Sequence, residues 1–447
     1  KWLSVSIAAL LLSACGSLGD GSKPESLEIR RPVASALLGT TSNKAFVCFT
    51  DRLQVIAEDS DGRLGDFTSR VIWTSSNPEV AQISNGEIQL ASDPTQAYAS
   101  GVIIPKAAGT TTITARFSKL SATYELEVGE PSAISITPSS LSLARYSQSP
   151  VTLQAVVDGY TRDVTTLARW TIDEAEDSDT TTDIASIGSS TGVVVANKTL
   201  GTLTARATLD GCPAGTPSAA LAANLTSSIN VRALASLSVA REFSAPLVIG
   251  TTEKFTVTGH FGGTDETQDL SQQIRFENVD AGGAVDAEGS AIAGGTSPAN
   301  FILAATAGTT RVRPRYPATD REDFPTVLGP VSEVTTVERT FSSFVVTPAA
   351  ATVSPFGSQQ FRAIATYADS ATQDITRHVT WTLPENVIED SDLLTAALNA
   401  VSVGNTYNNA GLVTSRQLAD SETTIRVIRG TGDEAVEQTA TLTVDAP

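Results

Sequence analysis

Short runs of alternating apolar and polar residues recur along this 447-residue chain. Runs of this kind, rich in β-branched residues and separated by turn residues, predict half-buried β-strands. Four opening strands are expected at residues 27–29, 134–136, 237–239 and 344–346, and each is followed by a second strand, of which "LQVIA" from Leu53 is the first. No long stretch has the 3.6-residue period of an amphipathic helix. The pattern predicts an all-β chain.

One phrase occurs four times with the same internal spacing. It reads "DFTSRVIW", "DVTTLARW", "DLSQQIRF" and "DITRHVTW", and it ends at Trp73, Trp170, Phe276 and Trp381. These rings are 97, 106 and 105 residues apart, which is the length of a small domain. The ring and the apolar residue after the aspartate are expected to face a core. The Asp-x-Thr/Ser group predicts a turn in which the carboxylate accepts backbone N–H bonds.

Composition narrows the class of protein. Apolar residues make up 41% of the chain, which is enough to fill several cores. A chain of this length is expected to form three or four domains. The net charge of -19 excludes nucleic acid as an expected partner, because phosphates would be repelled.

The first residues have the order of an export signal. Lys1 precedes the apolar run "VSIAALLL" at residues 5–12, which is too short for a permanent membrane helix. The sequence "LSAC" that ends at Cys15 resembles the lipobox of bacterial lipoproteins. This resemblance implies cleavage before Cys15, acylation of its thiol and anchoring in a membrane. Gly16 after the cysteine implies, by analogy with Gram-negative sorting, the outer membrane. A short buried helix is the alternative interpretation.

Two segments resemble the bacterial Ig-like domain of group 2. They are "VIWTSSNPEVAQISNGEI" (residues 71–88) with "AAGTTTITA" downstream, and "ATYADSATQDITRHVTWT" (residues 365–382). The second and third copies depart more from that pattern. The resemblance implies seven-strand-type sandwiches, used as tandem modules of bacterial surface proteins, with no catalytic residues to carry over.

Together these features predict four tandem Ig-like β-sandwich domains after a lipoprotein signal peptide. The predicted divisions are a signal peptide at 1–14, a tether at 15–25, and domains at 26–130, 131–232, 233–339 and 340–447. The two further cysteines, Cys48 and Cys212, fall in different copies. A disulfide between domains would need unusual geometry, so both are expected to be small buried or loop thiols.

The segment "GSSTG" at residues 188–192 fits the G-x-S-x-G pattern of a hydrolase nucleophile, Ser190. A turn shared by all copies explains it better, and we place Gly86, Gly289 and Gly411 at the same position as Gly192. His260 and His378 have no metal-spaced partners and are interpreted as ordinary sandwich residues. No cofactor and no enzyme activity are expected.

An acidic stretch offers an alternative of a different kind. "DSDGRLGD" at residues 59–66 places Asp59, Asp61 and Asp66 like the start of a calcium loop. The other copies have ordinary connections there, so we interpret it as a connection between strands, with calcium as the alternative.

Loop lengths suggest where recognition could occur. From ring to turn glycine, the first and third copies need 13 residues, the second 22 and the fourth 30. The long fourth-copy loop carries a group suited to a sugar or peptide, because a ring offers a stacking face and amides offer paired donors and acceptors: Asn405, Tyr407, Asn408 and Asn409. The third copy has a second long loop at residues 314–330. Both loops could instead cover sheet edges or neighbouring domains.

The sequence therefore predicts a lipid-anchored envelope protein of tandem Ig-like modules. The first functional hypothesis is adhesion to, or recognition of, a glycan or a surface protein. The alternative is a passive stalk or assembly subunit with no ligand of its own.

Overall fold

The computed structural model describes residues 23–32, 43–90, 95–173, 184–212, 217–243, 246–282, 285, 292–293, 300–354, 357–383, 401–406, 408–415, 421–431 and 435–445. The strands of these residues fall into four groups, at 24–129, 133–232, 234–337 and 341–444, which are called modules one to four. Each sheet takes all its strands from one module. The three predicted boundaries between one domain and the next lie between these groups.

The first two modules contain twenty strands within the described residues. Those of module one are β1 Pro24–Arg30, β2 Lys44–Phe46, β3 Asp51–Arg52, β4 Gln54–Asp59, β5 Leu64–Asp66, β6 Ile72–Ser75, β7 Ala81–Ile83, β8 Val102–Pro105, β9 Gly109–Phe117 and β10 Leu120–Gly129. Those of module two are β11 Ala133–Thr137, β12 Ser140–Ala144, β13 Gln148–Pro150, β14 Thr152–Val157, β15 Tyr160–Asp163, β16 Arg169–Asp173, β17 Ala185–Ile187, β18 Val193–Ala196, β19 Gly201–Thr208 and β20 Thr226–Arg232.

The last two modules repeat this sequence of elements. Module three has β21 Leu234–Arg241, β22 Leu247–Val248, β23 Thr252–Phe261, β24 Thr267–Asp269, β25 Arg275–Val279, β26 Ile292–Ala293, β27 Phe301–Ala304, β28 Gly308–Tyr316, β29 Val327–Leu328 and β30 Ser332–Val337. Module four has β31 Phe341–Thr347, β32 Ala350–Val353, β33 Ser358–Gln360, β34 Arg362–Tyr367, β35 Thr372–Asp374, β36 Thr380–Thr382, β37 Val401–Val403, β38 Leu412–Ser415, β39 Ser421–Arg429 and β40 Val436–Val444.

Every module is an Ig-like sandwich of two layers. In module two, one layer has the order β12-β20-β19-β16, and its edge strand β12 runs parallel to the last strand, β20. The other layer joins the opening strand to the second one in the order β11-β14-β15, with a small sheet β13-β18-β17 beside it. The parallel pairing of an early strand with the last strand recurs as β2 with β10, β22 with β30 and β32 with β40. The predicted fold class is confirmed.

The core of each module lies between its two layers and follows the predicted alternation. Along β6, Ile72 is 66% exposed while Trp73 is 2% exposed, because successive side chains of a strand point to opposite faces. Trp170 and Trp381 are buried in the same way, and each ring removes about 150–250 Å² from water. Phe276, the smaller ring of module three, is half-buried.

Helical structure is minor among the described residues. One α-helix, α1, spans Pro217–Ala222, and two 3-10 turns span Thr165–Leu167 and Thr376–His378. The described residues include no helix with the length and apolar content that a membrane crossing would require. At the start of module one, β1 begins at Pro24, so Pro24 and Glu25 of the predicted tether belong to a strand.

Candidate functional site

The repeated phrase forms the same turn in every module. In module four, the carboxylate of Asp374 accepts a hydrogen bond from the backbone N–H of Thr376 at 2.8 Å. The Thr376 hydroxyl accepts one from the N–H of Ala363 on the neighbouring strand at 2.9 Å. The indole N–H of Trp381 donates to the carbonyl of Thr376 at 2.9 Å. The predicted Asp-x-Thr turn is confirmed, and it locks two strands and the core ring together.

The other modules repeat these bonds with little variation. Thr68 and Thr165 accept an indole N–H at 2.9 Å in each case, and Ser271 accepts the N–H of Val257 at 2.9 Å. Module three lacks the indole bond because Phe276 has no N–H. The phrase is therefore a structural motif that builds the same turn in each module.

The turn glycines predicted for modules one and three are wrong. The carbonyl of Gly192 accepts the N–H of Val151 at 2.8 Å, and Gly411 makes the corresponding bond in module four. Gly101, not Gly86, makes it in module one, and Asn300 makes it in module three. Gly289 lies outside the described residues.

The fourth-copy loop is not unusually long when the four modules are compared at this bond. Counted to the residues that make the bond, the ring-to-turn separations are 28, 22, 24 and 30 residues in modules one to four. The fourth module is therefore not exceptional in this connection.

Two residues of the predicted recognition group make hydrogen bonds inside module four. Asn405 accepts the N–H of Trp381 at 2.8 Å and donates to its carbonyl at 2.8 Å, so the amide replaces a strand partner. Asn409 accepts the N–H of Thr406 at 2.9 Å and closes a turn. Asn408 is exposed, and Tyr407 lies outside the described residues. Asn408 lines a cavity.

Two aspartates in the acidic stretch of module one cap turns by accepting backbone N–H groups. Asp59 is buried and accepts the N–H groups of Asp61 and Arg63 at 3.0 and 2.9 Å. Asp66 accepts the N–H of Thr68 at 2.8 Å, and hydrogen bonds from Thr68 and Gln54 lower the pKa of its carboxyl despite partial burial. No group of three metal-binding side chains occurs in the described ranges, and calcium remains an alternative without a ligand set there.

The segment 188–192 is a tight turn. The N–H groups of Thr191 and Gly192 both point to the carbonyl of Gly188 at 3.1 Å, and Ser190 is exposed. Both histidines form hydrogen bonds to other residues of the chain. His260 bonds Ser238 at 2.7 Å within module three, as expected of a sandwich residue.

The first joint between modules contains a disulfide. Cys48 of module one is bonded to Cys212 of module two, so the expectation of two separate thiols is wrong. The sequence separation of 164 residues gave no sign of this, because the two residues meet only when the modules dock. Cys48 also forms an isolated antiparallel bridge with Gly211, where an added Cβ would lie 2.9 Å from the Cys48 carbonyl oxygen. Lys44 reaches Asp158 across the same joint at 3.2 Å.

The second joint is held by two glutamines of module three. Gln268 is buried; its amide oxygen accepts the N–H of Ala144 at 2.8 Å, and its amide N–H donates to the Ser147 hydroxyl at 2.9 Å. Gln273 accepts the N–H of Gln148 at 2.6 Å and donates to its carbonyl at 2.9 Å. These bonds satisfy backbone groups of module two with side chains of module three.

The third joint uses the same positions. Gln373 accepts the N–H of Val248 at 2.9 Å and donates to the Thr251 hydroxyl. His378 takes the place of Gln273, and its Nε2 accepts the N–H of Thr252 at 3.0 Å. Burial lowers the pKa of His378 to about 4, which keeps this nitrogen unprotonated. The interpretation of His378 as an ordinary sandwich residue is therefore wrong.

The long loop at 314–330 covers the neighbouring module, which was one of its two interpretations. The Phe324 ring meets Tyr146 of module two edge-on at 5.9 Å, and the Arg145 guanidinium lies 4.7 Å from the ring centroid. The Tyr316 hydroxyl donates to the Arg145 carbonyl at 2.6 Å, and burial raises its pKa. Aromatic packing thus adds to the hydrogen bonds of the second joint.

A polar cavity of about 170 Å³ opens at the third joint. Module three supplies two of the lining residues and module four supplies seven. Eight of the nine are polar or charged: Glu242, Lys254, Gln360, Arg362, Asp374, Thr376, Arg377, Asn408 and Ala410. Sequence reasoning found Asn408 but missed the others. The repeated "TQD" at 267–269 and 372–374 was the available signal for the joint itself.

Comparisons with known proteins show a weak structural likeness. Neither a family model nor a curated protein matches the sequence. Domains 4–9 of the surface layer protein SbsC align over 94% of this chain and 66% of that structure, at 12% identity and a TM-score of 0.21. Invasin, a bacterial integrin-binding protein, aligns over 94% of this chain and 79% of its own, at 12% identity and a TM-score of 0.15. Protocadherin gamma B2 cadherin domains 1–5 align over 92% and 81%, at 14% identity and 0.16. The fold class rests on the strand topology given above.

Proposed function

We propose that this chain is an exported, lipid-anchored protein of the bacterial cell envelope whose four Ig-like modules form a stiff spacer. One observation carries the proposal, namely that every joint is fixed by specific bonds. A disulfide closes the first joint, and paired side-chain to backbone hydrogen bonds close the other two. Modules joined by small polar interfaces ordinarily move relative to each other. Bonds of this kind oppose such motion, which is what a spacer requires.

The proposed location has two supports. The disulfide favours an oxidising compartment outside the cytosol, where thiols are not kept reduced. The resemblance of residues 12–15 to a lipobox adds a lipid on Cys15, which lies outside the described residues. Gly16 favours the outer membrane of a Gram-negative bacterium, and membership of the group 2 bacterial Ig-like family is part of the same proposal.

Metabolic labelling tests the anchor. Radiolabelled palmitate is expected to enter the wild-type protein and not the Cys15→Ala variant. Equal labelling of the two proteins, or none in the wild type, contradicts a lipid on this residue.

Spin-label distances test the spacer. Labels placed in modules two and four should give a narrow distance distribution, and the Gln268→Ala/Gln373→Ala variant should give a broader one, because it loses one glutamine's bonds at each of two joints. Gln438→Ala, an exposed glutamine on β40, is the matched control and should leave the width unchanged. A distribution that is already broad in the wild type contradicts the spacer.

Recognition of a ligand is the second candidate function. The cavity at the third joint favours it, because the joint is closed without most of the polar groups that line this space. Neither candidate includes catalysis. A hydrolase activity that disappears in Ser190→Ala would contradict a non-enzymatic role.

A further inference from the structure

The charges of the cavity at the third joint do not cancel. Glu242 accepts two hydrogen bonds from Arg377, at 2.8 and 3.2 Å, and Asp374 faces Arg362 at 3.4 Å. Lys254 is the third cation, and its ammonium group contacts no acid among the residues that the structure describes. The cavity therefore carries one positive charge in excess, although the chain as a whole has a net charge of -19.

The excess positive charge is not needed to hold two modules together. Modules three and four can be aligned by a hydrogen bond that both contain. The Ser271 hydroxyl accepts the N–H of Val257 in module three, and the Thr376 hydroxyl accepts the N–H of Ala363 in module four. At the second joint, the positions of the three cations are occupied by Pro150, Thr256 and Gln272. That joint closes with no basic residue at any of them. Of the two joints that glutamine residues close, only the third therefore has this basic cluster.

We propose that this cavity binds a single acidic sugar unit, a uronate, through its carboxylate. Lys254 and Arg362 would pair with the carboxylate, because ionised donors make the stronger hydrogen bonds. The amide of Asn408 and the amide oxygen of Gln360 would meet ring hydroxyls, since an amide oxygen accepts and an amide N–H donates. The Gln360 N–H groups already donate to the carbonyls of Phe361 and Ala410. A volume of about 170 Å³ is close to the ~150 Å³ that holds one benzene ring, so one six-membered ring fits.

The lining favours a sugar over an apolar ligand. Ala410 is the one apolar residue of the lining, and the hydroxyls of a sugar ring can form hydrogen bonds with the other eight residues. The proposed site is independent of the spacer role. Spin-label distances test the joints without any ligand, so the two proposals can fail separately.

Titration of the full chain tests the site. Galacturonate should bind saturably in the millimolar range by calorimetry, while galactose and acetate should each bind at least about tenfold more weakly. Galactose lacks the carboxylate, and acetate lacks the ring. Lys254→Met keeps the apolar stem and removes the charge, and it should weaken galacturonate binding about tenfold or more. Asn408→Ala should weaken it less, through the lost hydroxyl contacts.

Lys119→Met is the matched control, because Lys119 is exposed in module one and far along the chain from the cavity. It should bind galacturonate like the wild type. Absence of galacturonate binding overturns the proposal, as does equal binding of acetate or equal loss in Lys119→Met. Spin-label distances in Lys254→Met that match the wild type show that the joint is intact and that a lost affinity belongs to the site.

Discussion

A single hydroxyl residue organises each turn. Thr376 donates its backbone N–H to Asp374, accepts the N–H of Ala363 on its side chain and accepts the indole N–H of Trp381 on its carbonyl. The spacing of the phrase follows from these bonds, because the indole must reach back five residues to that carbonyl. The sequence predicted the first bond from turn chemistry. It did not reveal the other two, because they join residues that only the folded layers bring together.

Removal of one such hydroxyl should cost more than its size implies. Thr376→Val keeps the shape of the side chain but leaves the buried N–H of Ala363 without its acceptor, and we expect a loss of about 1–3 kcal/mol in the stability of module four. Hydrogen exchange of the Ala363 amide and urea denaturation measure the effect. Thr380→Val, on the exposed face of β36, is the control and should change stability by less than about 0.5 kcal/mol. Equal effects of the two substitutions contradict the assigned role.

His378 should make the third joint sensitive to acid. Its pKa falls from 6.5 in the unfolded chain to about 4 in the folded protein, because the ring is buried. Between pH 6.5 and 4 the unfolded chain binds a proton that the folded protein does not, so stability declines as the pH is lowered through this window. The loss is at most about 3 kcal/mol.

A matched substitution isolates this effect from the titration of carboxyl groups. His378→Gln supplies the amide that Gln273 uses at the second joint, and it should keep the bond to Thr252 without the titration. Thermal unfolding should therefore be less pH-dependent in this variant between pH 6.5 and 4. An unchanged pH profile would show that His378 is not the sensitive group.

At the scale of elements, one carbonyl sets where the second strand starts. The carbonyls of Gly192 and Gly411 accept the N–H of Val151 and Phe361, each of which directly precedes that strand, and both glycines have positive φ. An added Cβ at Gly192 would lie 2.3 Å from the Val151 carbonyl oxygen, so glycine is required for space as well as for conformation. The "GSSTG" segment has its second glycine for this reason.

Two glycines of module two allow the need for positive φ to be distinguished from the need for space. Gly159 has φ +81 with no atom within 4 Å of an added Cβ, while Gly192 has φ +64 with a close contact. Gly192→Ala should destabilise module two by about 1–3 kcal/mol more than Gly159→Ala, which carries the backbone strain alone. Chemical denaturation measures the difference. Ser190→Ala in the same turn should be neutral, and a large effect of that substitution would contradict the assignment of the segment as a plain turn.

Across the whole molecule, the three joints place different chemistry at the same positions. Cys48, Tyr146 and Gly250 all have positive φ in the turn that meets the next module. The second and third joints meet this turn with glutamine, and in the first joint Arg162 stands at the glutamine position with a pKa that burial lowers to about 10. The disulfide then supplies a bond that the first joint does not obtain from glutamine.

Loss of the disulfide should loosen modules one and two. The Cys48→Ser/Cys212→Ser variant is expected to be about 2–4 kcal/mol less stable than the oxidised wild type. Spin-label distances across the first joint should broaden in this variant and in the reduced wild type alike. The reductant should have no effect on the double variant, which serves as its control. Equal widths in the oxidised and reduced wild type would show that the other contacts suffice.

The sequence by itself determined the strands, the four modules and the core ring of each, because alternation and local turn chemistry involve residues close together in the chain. Only the tertiary structure decided the disulfide, the turn residues Gly101 and Asn300, and the use of Gln268, Gln373 and His378 between modules. It also paired the amide of Asn405 with the backbone of Trp381. The physical reason is that these roles depend on contacts between distant residues, and a polar side chain in a sequence does not reveal whether its partner is backbone, another module or solvent.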